Sequence, residues 1–185
     1  MRIISGKFRG KKILPPKDLK TRPLKDLTKE SIFNIICHSN KFEVNLESSH
    51  ILDLFSGIGS FGIECLSRGV SKVTFVENYD PALQVLKKNL HNLKSMKNYE
   101  IFQENIDNGI NFLNQKNKFD IIFLDPPYKN DNIEKILFNI YEKNILSPRG
   151  IVILHRHKKQ EDNLPKFYKI IEKKIYGVSK IIFLS

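Results

Sequence analysis

The stretch Ile51-Leu-Asp-Leu-Phe-Ser-Gly-Ile-Gly-Ser-Phe-Gly62 decides the fold. The apolar run Ile51 to Phe55 reads as a buried strand, and it leads into Gly57, Gly59 and Gly62 at a helix start. Glu77 lies 20 residues after Gly57, at the end of the next apolar run. Glycines in a strand-to-helix turn let a nucleoside cofactor approach the backbone, and the acid on the second strand can accept hydrogen bonds from ribose hydroxyls. These features alone fit NAD as well as other nucleoside cofactors. Asp53 separates them, because it sits inside the strand four residues before Gly57, where a dinucleotide site usually has an apolar residue. An acid near the carboxyl end of a strand can hold the cationic amino group of a methionine moiety, which favours S-adenosylmethionine; a turn-capping Asp53 is the plainer alternative.

Outward from that loop, apolar runs alternate with helical stretches. The expected strands are Ile51 to Phe55, Val73 to Val76, Ile101 to Gln103, Phe119 to Leu124 and Ile151 to Leu154. The expected helices lie near Thr28 to His38, Gly62 to Arg68, Pro81 to Leu93, Asn108 to Gln115 and Ile133 to Lys143. Such alternation predicts a mainly parallel sheet covered on both faces. Phe167 to Tyr176 and Val178 to Leu184 meet at Gly177 with no helix-length insert, which predicts a closing antiparallel hairpin. The fold expected is therefore Rossmann-like, with a seven-stranded mostly parallel sheet over residues 45–185 and a small basic extension over residues 1–44.

A second motif occupies the end of the fourth strand, Phe119-Asp-Ile-Ile-Phe-Leu-Asp-Pro-Pro-Tyr128. Ligands bind at the carboxyl edge of open α/β sheets. Consecutive prolines stiffen the loop and remove two N–H donors, so Asp125 and the Pro126 carbonyl present an acceptor-rich corner suited to an exocyclic amine. Tyr128 can stack on a planar base. An NAD oxidoreductase is disfavoured, because no hydride-transfer acid or base is evident near the glycine loop.

Composition narrows the partners. The 185 residues carry a net charge of +11, and residues 1–29 alone hold ten Lys/Arg against two Asp, a local charge of +8. That asymmetry points to a polyanion, nucleic acid first and an acidic membrane surface second. The segment from Arg2 to Lys12 interleaves apolar and basic residues, which predicts a short packed hairpin. Cys37 and Cys65 are too few for a disulfide framework and are expected to be small buried hydrophobes. No apolar run has the roughly 20 residues a membrane span needs, and no metal set is evident, so a cytoplasmic, metal-free protein is expected. His155 and His157 share one side of a strand without an acid or cysteine to complete such a set. Lys158, Lys159 and the later lysines read as a solvated face.

Asp53-Leu-Phe-Ser-Gly-Ile-Gly59 together with Asp125-Pro-Pro-Tyr128 resembles the class I S-adenosylmethionine-dependent amino-methyltransferases. Met1-Arg-Ile-Ile-Ser-Gly-Lys-Phe-Arg-Gly-Lys-Lys12, Arg22-Pro23, Glu30-Ser-Ile-Phe-Asn34, Leu66-Ser-Arg-Gly69 and Tyr176-Gly177 narrow the resemblance to the bacterial small-subunit rRNA guanine-N2 methyltransferases of the RsmD type. The resemblance spans essentially the whole chain. It implies catalysis by Asp125, Pro126 and Tyr128, and a cofactor site from Asp53, Phe55, Ser56, Gly57, Gly59, Glu77, Asn78, Asp107, Asn108 and Asp125. It also implies binding of 16S rRNA, within an assembling small subunit, by Arg2, Lys7, Arg9, Lys11, Lys12 and Arg22, with a monomer expected. Asp-Pro-Pro-Tyr is shared with DNA amino-methyltransferases, so the amino-terminal matches are what point to rRNA. A DNA adenine or cytosine amino-methyltransferase and a noncatalytic RNA-binding assembly factor are the alternatives. Leu24 stands where the family commonly has Thr, and His155 ends the fifth strand where an acid is frequent, with no role assigned to it.

Overall fold

The computed structural model describes residues 1–18, 21–94, 97–113 and 118–185. Lys20 of the basic segment and the end of the helix expected over 108–115 lie outside them. Among the described residues one sheet has the order β3-β2-β1-β4-β5-β7-β6. Its strands are β1 (His50–Leu54), β2 (Lys72–Val76), β3 (Tyr99–Phe102), β4 (Phe119–Leu124), β5 (Leu146–His157), β6 (Ile170–Tyr176) and β7 (Ser179–Leu184). β1 to β5 pair in parallel, and β7 runs antiparallel to both β5 and β6. The Rossmann-like fold and the closing hairpin at Gly177 are as the sequence predicts.

Register is what builds the site. Leu54 pairs with Val76 on one side and Leu124 on the other, and Leu124 pairs with Leu154. The next residue of each chain segment, Phe55, Glu77, Asp125 and His155, therefore stands on one carboxyl rim. Chain order reverses between β1 and β4, so the rim there is the crevice where an open α/β sheet takes its ligand.

The helices are α1 (Asp26–His38), α2 (Ser60–Ser67), α3 (Asp80–His91) and α4 (Ile133–Glu142). α1 buries Ile32, Phe33 and Ile36, while Ile35 is only half-buried. Phe33 stacks on Phe61 of α2 at 5.3 Å, and Phe61 stacks on Phe123 of β4 at 4.0 Å. This aromatic column ties α1 and α2 to the strand that carries the Asp125 corner. Cys65 is buried, as expected, but Cys37, in the last turn of α1, is exposed. The stretch expected as a helix over 108–115 is instead a single 3-10 turn, Ile106–Asn108, followed by turns through Leu113. Gly109 at φ 101 takes the chain out of helical geometry, and the surrounding asparagines favour local turns over helix.

The basic segment is less regular than a hairpin. Arg2 and Lys12 form an isolated antiparallel bridge, and turns fill the residues between. It packs nonetheless. Ile3, Phe8 and Ile13 join the same apolar cluster as Ile51, Phe123 and Ile181. Glu64 of α2, fully buried, accepts the Ile4 and Ser5 N–H groups at 2.8 and 2.9 Å and pairs with Arg68 and Lys29. Among the described residues no helix is long and apolar enough to cross a membrane.

Candidate active site at the carboxyl rim of the sheet

A cavity of about 400 Å³ opens at the switch point, a size common for small-molecule sites. Its floor is the loop after β1, Phe55 to Ile58; one wall is Glu77 to Tyr79 after β2, and the other is Asp125 to Tyr128 after β4. Thr21, Arg22, Pro23 and Leu24 roof it. The Tyr79 hydroxyl donates to Asp18 at 2.5 Å, which joins that roof to the wall.

The loop conformation is forced. Phe55 has φ 60, a left-handed conformation costing a non-glycine residue roughly 1–3 kcal/mol and found preferentially at functional sites. Gly59, the N-cap of α2, has φ 85, and a β-carbon there would lie 2.4 Å from Leu86. Glu77 draws the loop closed: its Oε2 accepts the Gly57 N–H and its Oε1 the Tyr79 N–H, both at 2.7 Å. Asp53 Oδ2 accepts the Gly62 N–H at 3.0 Å. Burial pushes the Asp53 carboxyl well above the usual carboxylate range; the Gly62 bond opposes that shift, and Asp125 and Glu77 add to it.

At the opposite wall, Asp125 Oδ1 accepts from Arg22 Nη2 at 3.1 Å and meets His155 Nδ1 at 2.8 Å. The Arg22 guanidinium carbon lies 3.3 Å from the centre of the Tyr128 ring. Burial lowers the Arg22 pKa, while Asp125 pulls it back up. The loop is held from behind by β5 and the turn after it. Arg156 Nη1 and Nη2 donate to the carbonyls of Pro127 and Asn130 at 3.2 and 2.9 Å, its Nε donates to Asp162 at 2.8 Å, and Gln160 donates to the Tyr128 carbonyl at 2.6 Å.

Asp53, Phe55, Ser56, Gly57, Glu77, Asn78, Asp125, Pro126 and Tyr128 thus come together around one cavity. Gly59 does not line it; at φ 85 it turns the chain into α2. Asp107 and Asn108 do not line it; the Asp107 carboxylate instead accepts from Asn130 and Asn132 at 3.0 and 3.1 Å, on the far flank of the same loop. Arg2, Lys7, Arg9, Lys11 and Lys12 are exposed, with Lys7 and Lys11 flanking the Phe8 ring. Arg22 stands apart from that group, inside the cavity roof. Sequence reasoning missed His155, Arg156 and Gln160. The signal for His155 was available once β4 and β5 were taken as neighbours, because both strands end at the same level.

Residues 1–185 match the family model described as "Conserved hypothetical protein 95". The Ribosomal RNA small subunit methyltransferase D of Haemophilus influenzae is 32% identical over 182 residues, covering 96% of this chain and 90% of that protein. Its Escherichia coli namesake is 33% identical over 145 residues, covering 78% and 68%. A solved Escherichia coli structure, the methyltransferase yhhF, superposes with a TM-score of 0.82 at 27% identity, covering 100% of this chain and 96% of that one. An SAH-bound Podospora anserina methyltransferase, 16% identical with a TM-score of 0.51, shares the fold over 57% of this chain and 45% of its own. A family match along the whole length, relatives of this identity and a sheet of this order agree: the chain belongs to the RsmD family of class I methyltransferases.

Proposed function

We propose that the protein transfers a methyl group from S-adenosylmethionine to the exocyclic N2 amine of a guanine in 16S rRNA. The observation that carries this reading is the Arg22 guanidinium, a flat N–H-bearing group that stacks on Tyr128 and donates to Asp125 at the same time. A guanine edge offers the same combination of flat ring and amine donor. The lining of the cavity supports the donor reading: Asp53 offers a carboxylate for an ammonium, Glu77 one for ribose hydroxyls, and the glycine loop admits close approach. The names of the relatives from Haemophilus influenzae and Escherichia coli support an rRNA substrate.

Bound there, S-adenosylmethionine supplies an electrophilic methyl carbon on a sulfonium. The residues of this chain supply position. An aryl amine is a poor nucleophile because its lone pair is delocalised into the base. Asp125 and the Pro126 carbonyl accept its two N–H bonds, turn the lone pair toward the methyl carbon and offset the charge growing on nitrogen. As the amine took the methyl carbon, the C–S electron pair would stay with the departing sulfur, and Asp125 would receive the proton the amine then sheds. Orientation of this kind contributes up to about 7–11 kcal/mol. Tyr128 holds a base taken out of its stack, which costs a few kcal/mol of unstacking. Residues 1–44 serve as the docking extension, with Arg2, Lys7, Arg9, Lys11 and Lys12 on backbone phosphates of a subunit still assembling.

The test is nucleoside mass spectrometry of 16S rRNA and of partly assembled subunits incubated with isotopically labelled donor. Label in N2-methylguanosine is expected. Label confined to N6-methyladenosine, or found only with a DNA substrate, rejects the guanine assignment.

A further inference from the structure

We propose that His155 is a positioning residue of the reaction, holding the Asp125 carboxylate through Nδ1 in the orientation that receives the target amine. This rests on the reading above that Asp125 engages the amine.

The His155 side chain is 3% exposed, and its Nδ1 lies 2.8 Å from Asp125 Oδ1. A carboxylate only accepts, so Nδ1 is the donor of that bond. Nε2 is buried and, among the described residues, has no hydrogen-bond partner. A buried nitrogen left bare is unfavourable and rare. Packing alone does not call for it: Ile153, two residues earlier on β5, and Ile181, the register partner on β7, are both buried and apolar. A leucine would fill such a position without an orphaned atom. The compensating gain is the bond to Asp125.

Both contacts to Asp125 fall on Oδ1, and among the described residues Oδ2 has no partner. The two contacts differ in kind. Arg22 reaches in from the cavity roof with its side chain 38% exposed, and it occupies the face of Tyr128 that a base would need. It must withdraw when a base enters. His155 comes from the interior of the sheet and stays, so it is the bond that holds the carboxylate rotamer during transfer. The Tyr128 ring lies T-shaped against the rings of His155 and His157 at 6.4 and 5.0 Å, so the end of β5 backs both the carboxylate and the stacking ring. His155 touches neither substrate nor donor and acts through Asp125.

The experiment compares H155L and H155N with wild type in steady-state methyl transfer to 16S rRNA, with thermal melting as a check on folding. Asparagine keeps an N–H near the place of Nδ1, whereas leucine fills the space without a donor. H155L is expected to lower kcat about 10- to 100-fold, the range for a hydrogen bond to a charged group, with KM for S-adenosylmethionine and rRNA within about twofold. H155N is expected to recover most of that loss. Wild-type kcat in H155L, or equal impairment of both variants, overturns the proposal. Should H155L not fold, the Nδ1–H resonance of His155 in the intact protein decides: a downfield signal that disappears in D125A supports the contact, and no change in D125A refutes it. The nucleoside formed by wild-type enzyme reports separately on the parent reading, since the ratio between variants is read on whichever methylated product appears.

Discussion

Gly62 has no room for a β-carbon: one built there would lie 2.3 Å from the Phe75 ring and 2.9 Å from Asp53 Oδ2. Gly62→Ala is expected to cost roughly 1–3 kcal/mol in chemical denaturation, the usual penalty for overpacking, and to weaken donor binding by displacing Asp53. Wild-type stability and affinity in this variant would contradict that account. Asp53 makes a second prediction. Burial raises its pKa, so between the ordinary carboxylate range and the raised value the folded, ligand-free protein keeps a proton that the unfolded chain has lost. Its contribution to stability is full below the ordinary carboxylate range and is lost as pH rises through the raised folded value. A ligand ammonium arriving beside Asp53 favours the carboxylate and expels that proton. Affinity for S-adenosylmethionine should therefore rise with pH up to the raised value and level off above it, with proton release visible by calorimetry in buffers of different ionisation enthalpy. A flat affinity without proton release would exclude the contact. Glycine spacing and Asp53 were legible because each sits in one contiguous stretch. Arg22 was legible only as a basic residue; its place over Tyr128 depends on how residues 21–24 fold across the cavity.

At the scale of elements, the end of β5 is the support for the Asp125 loop. Arg156 is 1% exposed and spends its guanidinium on Asp162 and on the carbonyls of Pro127 and Asn130. Arg156→Met keeps much of the volume but leaves the Asp162 carboxylate with only Lys180, 3.8 Å away, and strips two carbonyls of their donor, so a loss of about 3–5 kcal/mol is expected by denaturation. A loss under about 1 kcal/mol would mean that the loop is held elsewhere. The order of strands and helices was readable from alternating apolar runs, and their ends shifted by a few residues. β5 grew the most, from the expected Ile151 to Leu154 to Leu146–His157, because pairing with β4 and β7 extends it past its apolar centre. The failed helix after β3 carried its own warning in Gly109 and its neighbouring asparagines. His155 was legible as a partner of the loop only once β4 and β5 were set side by side, and the reach of Arg156 to Pro127, Asn130 and Asp162 depends on loop conformations that the pairing alone does not give.

Charge is arranged over the whole molecule so that the basic amino-terminal segment and the cavity belong to one body. The segment is pinned by Glu64, by Ser67 and by Asn89, which bonds both the N–H and the carbonyl of Leu14. Its lysines and arginines are thus carried at fixed positions relative to the site. If Arg9, Lys11 and Lys12 each neutralise one phosphate, changing all three to Gln should make the slope of log affinity against log salt shallower by about 2 to 3. An unchanged slope in filter-binding titrations would remove these residues from the RNA contact. In the proposed reaction Asp125 and the glycine loop act together. The most direct measurement is single-turnover methyl transfer by Asp125→Ala, with S-adenosylmethionine binding followed in parallel by calorimetry. Transfer is expected to fall by at least about 10²-fold, as for loss of a group stabilising the transition state, while donor affinity changes only a few-fold. Turnover at the wild-type rate with donor still bound would contradict the account.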